Sequence, residues 1–349
     1  EKLLGAFHLI GAIVLFTVPL TESPTAMFWV MLINMIFYMP TISLSIAVAY
    51  AALKKEKLDV IKVFPPIRVW GTIGFIVAMW TVSLLKLETS AAQFYIASAA
   101  SLLLGVYSFT LPKCEIVKNF DKKDFITSLG LKAFTLFKQK RMALFFVFSM
   151  LLGAALQLTN MYGDTFLHDF AKMPEFKDLL AVKYPAIIMS VSQISETVFI
   201  LTIPFFLKRF GIKQVMLMSM FAWVLRFALL GLGNPADGLW MIILSCIVYG
   251  MAFDFFNISG SLYIETESDS GIRASAQGLF MMMTNGFGAI MGSALSGLMI
   301  DAFFKTPTGE YLWKGIWFSF AIYSLVVAII FALVFKYKHN REAIVEIKH

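Results

Sequence analysis

Of 349 residues, 59% are hydrophobic and only 15% are charged, whereas a water-facing surface needs about 25% charged residues, so a soluble enzyme, a disordered chain and a secreted disulfide scaffold are all excluded. Two cysteines, Cys114 in a basic loop and Cys246 inside an apolar run, are too few for a disulfide framework. The net charge of +7 is spread between apolar runs, a pattern of membrane faces and not of nucleic-acid binding.

Ten apolar stretches follow in chain order, at about 3–20, 25–53, 66–85, 91–112, 142–167, 185–207, 212–232, 239–264, 274–299 and 313–336. Lipid offers backbone groups no partners, and strand-like alternation is missing over these lengths, so each stretch is expected to be a helix. The fold class is therefore an all-α polytopic membrane protein. The second stretch is long for a bilayer and carries Pro40, which fits a tilt or a kink.

Basic residues set the orientation. With the N-terminus cytoplasmic, 21 Lys and Arg fall in inside segments and six in outside loops, while Arg68 and Arg226 lie within or at the edges of spans. That asymmetry places both termini inside. The longest inside loop divides the chain into an N-terminal part of four spans (1–112), a basic linker (113–141) and a C-terminal part of six spans with a tail (142–349). Within the linker, Asp124 to Arg141 interleaves Phe125, Leu129, Phe134 and Phe137 with Lys132, Lys138 and Lys140. It reads as an amphipathic helix on the inner leaflet, the alternative being a solvated basic connector. Four spans plus six is lopsided for a two-lobed transporter, and the chain enters a span almost at once after Glu1. Two further N-terminal helices are therefore expected, completing six plus six.

Ionisable groups in the bilayer core cost several kcal/mol unless paired or hydrated, which marks them as functional candidates. Glu196 lies midway along the sixth span and Asp254 well inside the eighth; both are too short to snorkel. Arg68, near the inner end of the third span, fits either a site role or snorkelling. Arg226 in the seventh span has Leu, Phe and Ala around it and reads as a structural pairing or a lipid-headgroup contact. Spacing adds partners. Gln193 and Glu196 share a face, as do Gln157 and Asn160 in the fifth span. Tyr249, Phe253 and Asn257 form a stripe beside Asp254, and Arg68, Thr72 and Phe75 align in the third span. Amides and carboxylates suit hydroxyls and polar edges of a ligand, and aromatic rings supply stacking surfaces; the plainer reading is interhelical hydrogen bonding. A carboxyl held away from water gains or loses its proton as ligand and hydration change, so Glu196 and Asp254 are the candidates for proton coupling.

Other signals do not amount to chemistry. The four histidines are scattered, with no metal-ligand spacing. Gly288, Gly292 and Ser296 at four-residue intervals form a small-residue packing face and not a dinucleotide loop. No Walker-type loop is present, so no nucleotide or metal cofactor is expected and the chain does not read as an enzyme.

The stretches FPPIRVWGTIGF (64–75), LQLTNMYGDTFLH (156–168), SQISETVFILTIPFFLKRFGIK (192–213), YGMAFDFFNISGS (249–261) and IRASAQGLFMMMTNGFG (272–288) resemble the bacterial nucleoside:proton symporters of the nucleoside-permease and xanthosine-permease type. These belong to the major facilitator superfamily, and the resemblance runs essentially the whole length. It implies twelve helices in two lobes, of which the ten here would be the third to the twelfth. It further implies that Arg68, Thr72 and Phe75 contact the nucleoside from the first lobe. Gln157, Asn160, Gln193, Glu196, Tyr249, Phe253 and Asp254 would do so from the second, with Asn257 following on the same face. The expectation is a monomeric, multi-pass inner-membrane protein that takes up nucleosides with protons by alternating access and needs no nucleic acid. A symporter for another polyol or sugar and a non-transporting membrane receptor are the alternatives.

Overall fold

The computed structural model describes residues 1–58, 60–113, 131–269 and 272–337. The chain divides into two units, Glu1–Asp121 and Lys122–His349. Both are helical, and the helices follow the apolar runs closely, because a run long enough to cross a bilayer can satisfy its backbone only within itself. Among the described residues, eight helices are long and apolar enough to span a membrane, and two shorter apolar helices, Val69–Leu84 and Ala92–Ser108, complete the ten.

The first unit holds α1 (Lys2–Thr17), α2 (Pro24–Lys55), α3 (Val60–Leu84) and α4 (Ala92–Ser108). α2 continues as one helix through Pro40. α1 packs between α2 and α4, and its approach to α4 needs two glycines: a Cβ on Gly5 would sit 3.0 Å from the Gly105 carbonyl oxygen, and one on Gly105 would press 2.9 Å against Leu9. Serine hydroxyls join the same seam, Ser98 Oγ donating to the Ala12 carbonyl at 2.7 Å and Ser101 Oγ to that of His8 at 2.9 Å. His8, buried, also meets Ser101 at 3.3 Å, a structural use for one of the scattered histidines. Close packing plus hydroxyl bonds is how helices associate where water offers no hydrophobic drive.

The second unit opens with a 3-10 helix, Leu131–Lys138, followed by α5 (Lys140–Asp169), short α6 (Leu180–Lys183), α7 (Pro185–Met189), α8 (Val191–Phe210), α9 (Ile212–Leu232) and α10 (Leu239–Glu267). α11 (Arg273–Met281) runs through a π-helical stretch, Met282–Gly288, into α12 (Ala289–Phe303), and α13 (Trp313–Val334) closes the unit. Over its described part the linker is the 3-10 helix Leu131–Lys138, which packs on α5 and α11 and buries Ala133 and Leu136 at 1% and 2% exposure, while Leu131 and Phe134 stay 43% and 44% exposed. The stretch from Asp124 to Gly130 lies outside the described residues, as does Cys114.

α9 lies at the centre, packed along both α10 and α13. Aromatic rings fill this core in two groups, Phe145 with Phe256, Tyr263 and Phe280, and Phe227 with Trp317 and Phe320. The small-residue face behaves as the spacing requires: a Cβ on Gly292 would lie 2.8 Å from Ala154 Cα, and one on Gly288 2.5 Å from the Met150 carbonyl oxygen. α5 and the π-helical stretch touch through Gly153, whose hypothetical Cβ would fall 2.0 Å from the Thr284 carbonyl oxygen. Between α8 and α9 the chain turns at Gly211, where φ of 79° favours glycine.

Candidate substrate and proton site

Three helices of the second unit place the polar residues, and α10 is the element they hold. Hydroxyls and one guanidinium from its neighbours donate to its carbonyls: Ser195 on α8 to Ile247, Ser219 on α9 to Ala252, and Arg226 Nη1 on α9 to Ser245 at 2.7 Å. Gly250 lets α8 come close, since a Cβ there would meet the Ser195 carbonyl carbon at 2.6 Å. The accepting carbonyls, of Ser245, Ile247 and Ala252, bracket Tyr249 and end just before Phe253 and Asp254, which fixes the rotation of this part of α10 about its axis.

Tyr249 and Phe253, one turn apart, stack with ring centroids at 5.8 Å and planes 5° apart. Trp223 meets Tyr249 edge-on at 5.9 Å, and the Arg226 guanidinium sits over the Tyr249 ring, 4.6 Å from its centroid. Arg226 is 1% exposed. A buried cation costs several kcal/mol unless its donors are met. Here Nη1 has the Ser245 carbonyl, Nε reaches Thr159 Oγ1 at 3.4 Å, and the ring face supplies a cation–π contact. A desolvated contact of that kind stabilises by about 2 kcal/mol. Of the two sequence readings of Arg226, the structural pairing holds; a side chain this enclosed cannot reach a lipid headgroup.

Glu196 and Asp254 both lie within electrostatic range of the Tyr249 phenol, as does Arg226. The two acids differ in access: Asp254 is 4% exposed, whereas Glu196 is half-buried. Gln193, one turn before Glu196, is half-buried, and its Oε1 is shielded with no hydrogen-bond partner among the described residues. On α5, Gln157 is half-buried and Asn160 exposed. Thr159 between them touches Arg226, and Leu156 lines a small cavity with Phe253 and Asn257. That cavity, of about 20 Å³, also meets Trp223, Thr284 and Asn285. It holds one water at most, too little for a ligand, and the polar and aromatic residues make up the wall of the candidate site within this unit.

In the first unit, Thr72 and Phe75 lie on α3, Thr72 half-buried and Phe75 54% exposed. Arg68 belongs to the same helix, its side chain lying outside the described atoms.

The contribution of Arg226 to this wall was not legible from its apolar neighbours in sequence. A charge midway along an apolar helix was the available signal, but its partners come from helices distant in the chain. Ser195 and Ser219 carried no signal at all, because nothing in the sequence distinguishes a serine that donates across a helix interface from one that bonds its own helix.

Comparison with known proteins adds the chemistry. A family described as nucleoside H+ symporter matches residues 1–340. The xanthosine permease of Escherichia coli (strain K12) is 57% identical over 343 residues, which are 98% of this chain and 81% of that protein. The nucleoside permease NupG of the same organism is 54% identical over 335 residues, 96% of this chain and 80% of that one. The crystal structure of nucleoside transporter NupG matches at a TM-score of 0.88 and 53% identity, covering 96% of this chain and 83% of that chain. A crystal structure of a mutant of NupG matches at 0.92 and 52% identity, with the same coverage.

Proposed function

The chain belongs to the nucleoside H+ symporter family, and on that premise we propose that it carries nucleosides together with protons across a bacterial inner membrane by alternating access. The observation that carries the reading is the cluster around Tyr249: a stacked aromatic pair for a base plane, with two intramembrane carboxylates in electrostatic range of it. A flat base can stack on a ring face through its π system, and a sugar can pack its C–H face there too, so competition between intact nucleosides and free sugars separates the two readings.

In this proposal Phe253 and Tyr249 face the base, while Gln193, Gln157 and Asn160 meet hydroxyls and base edges. Arg68, Thr72 and Phe75 are further nucleoside contacts from the first unit. Glu196, half-buried, exchanges the proton, and Asp254, 4% exposed, responds to it. Binding of a proton lowers the cost of holding two acids among apolar helices, and binding of nucleoside changes their hydration. Each ligand thus shifts the balance of states that admits the other. The regions 1–112 and 142–349 are proposed as the two lobes, joined by the 113–141 linker, with both termini cytoplasmic, a placement that the distribution of Lys and Arg supports. The protein is proposed to act as a monomer.

The test is uptake of radiolabelled nucleoside into proteoliposomes under an imposed pH gradient, with counterflow as the gradient-free control. Accumulation is expected in the native protein, and intact nucleosides are expected to compete where free ribose does not. Glu196→Gln or Asp254→Asn should abolish uphill accumulation. Full uphill uptake in both variants removes them as coupling groups, and failure of counterflow in the native protein defeats the transport reading itself.

A further inference from the structure

Arg226 does more than the seam requires. Joining α9 to α10 needs only a hydroxyl, as Ser219 shows about two turns away with its bond to the Ala252 carbonyl. A guanidinium at 1% exposure is a costly way to make the same link. What it does that a hydroxyl cannot is present a flat cation to an aromatic face, 4.6 Å from the Tyr249 centroid. The cation is itself fixed at two points, by the Ser245 carbonyl on α10 at 2.7 Å and by Thr159 on α5 at 3.4 Å. Trp223, one turn before Arg226 on α9, stands perpendicular to the same ring, with centroids 5.9 Å apart. Tyr249 is therefore held by the cation over its face and by the perpendicular Trp223 ring, and Phe253 lies parallel to it within 5°.

We propose that Arg226 is a positioning residue for base recognition: clamped by Ser245 and Thr159, it sets the tilt of Tyr249 and, through the stack, of the Phe253 ring against which the base lies. The inference rests on the reading of Tyr249 and Phe253 as the base-facing wall. Stacking energy depends on ring planes being set before the ligand arrives, since a ring that must be ordered on binding spends that energy on its own entropy. Arg226 touches no ligand in this scheme. It acts only through Tyr249 and Phe253, and this indirectness separates it from a contact residue and from a general support of the fold.

The experiment is equilibrium binding of radiolabelled adenosine and uridine to the purified protein in nanodiscs, for the native chain, Arg226→Met, Phe253→Ala and the double variant, with thermal unfolding of each. Arg226→Met is expected to weaken binding about tenfold, and the double variant to bind within about twofold of Phe253→Ala, because a residue acting through the ring loses its effect once the ring is gone. Losses that multiply in the double variant mark Arg226 as a general support and overturn the proposal. Loss in Phe253→Ala with native affinity in Arg226→Met overturns the proposal and leaves the base-facing wall standing; native affinity in both overturns both. Arg226→Lys keeps a buried cation without the planar fork, and it gives a second reading if Arg226→Met does not fold. It is expected to weaken binding about threefold, and native affinity in it counts equally against the proposal.

Discussion

Replacing Gly250 by alanine places a methyl carbon 2.6 Å from the Ser195 carbonyl carbon and 2.7 Å from the Ser195 carbonyl and hydroxyl oxygens. Ordinary carbon contacts begin near 3.5 Å, so α8 must retreat from α10 by the better part of 1 Å. The obstacle is backbone, which cannot swing aside as the tip of a side chain would. Overpacking of this kind costs about 1–3 kcal/mol. Strain on the Ser195 bond to the Ile247 carbonyl adds about 1 kcal/mol, and the better helix propensity of alanine returns about 1 kcal/mol. The net expectation is a loss of about 1–3 kcal/mol, which for a body of this size lowers the unfolding midpoint by about 2–10 °C. Glu196 follows Ser195 directly, so the shift that relieves the clash also moves a proposed proton carrier relative to Tyr249. Transport should therefore fall further than stability does. The assay is thermal unfolding in detergent beside pH-gradient-driven uptake, with Gly297→Ala as the reference. Gly297 lies in α12 with nothing within 4 Å of its would-be Cβ, so alanine there should be neutral or stabilising. Gly250→Ala as stable and as active as Gly297→Ala would refute the packing argument.

Two further outcomes follow from single contacts. Gln193→Ala removes an amide whose Oε1 is shielded and has no protein partner among the described residues. One ligand hydrogen bond is worth about 0.5–1.5 kcal/mol, so nucleoside affinity should weaken about three- to tenfold in a direct binding assay; unchanged affinity removes Gln193 from the wall. Lys213 Nζ donates to the Ala332 carbonyl at 3.1 Å, in the last turn of α13. Lys213→Met should therefore cost about 0.3–1 kcal/mol by unfolding midpoint, and a midpoint equal to the native one would show that the cap contributes nothing.

How far the residues alone reached differs between elements. α9 was expected at 212–232 and is found at Ile212–Leu232, and the stretch read as 239–264 is α10, Leu239–Glu267. The agreement is physical: in lipid the length of an apolar run and the presence of Gly211 leave few places for a helix to begin or stop. The small-residue face was legible for the same kind of reason, because Gly288, Gly292 and Ser296 recur at a helical period. The π-helical stretch at Met282–Gly288 was not legible. It sits where the Thr284 carbonyl oxygen meets Gly153, and that meeting depends on α5, more than a hundred residues earlier. In the linker, periodicity shows an apolar side of Leu131–Lys138, but only the tertiary structure shows that Ala133 and Leu136 are the residues buried against α5 and α11 while Phe134 stays exposed.

For the candidate site, residue type and spacing were enough to single out Glu196, Asp254, Tyr249 and Phe253, since a charge or a polar–aromatic stripe is conspicuous against an apolar helix. Tertiary structure decided what the acids see, leaving Glu196 half open and enclosing Asp254. It also turned Arg226 from an isolated charge among Leu and Phe into the cation over Tyr249. Composition and period are properties of one helix and survive in the linear chain. Burial, hydrogen-bond partners and ring geometry arise only where α5, α8, α9 and α10 meet, and no single helix carries that information.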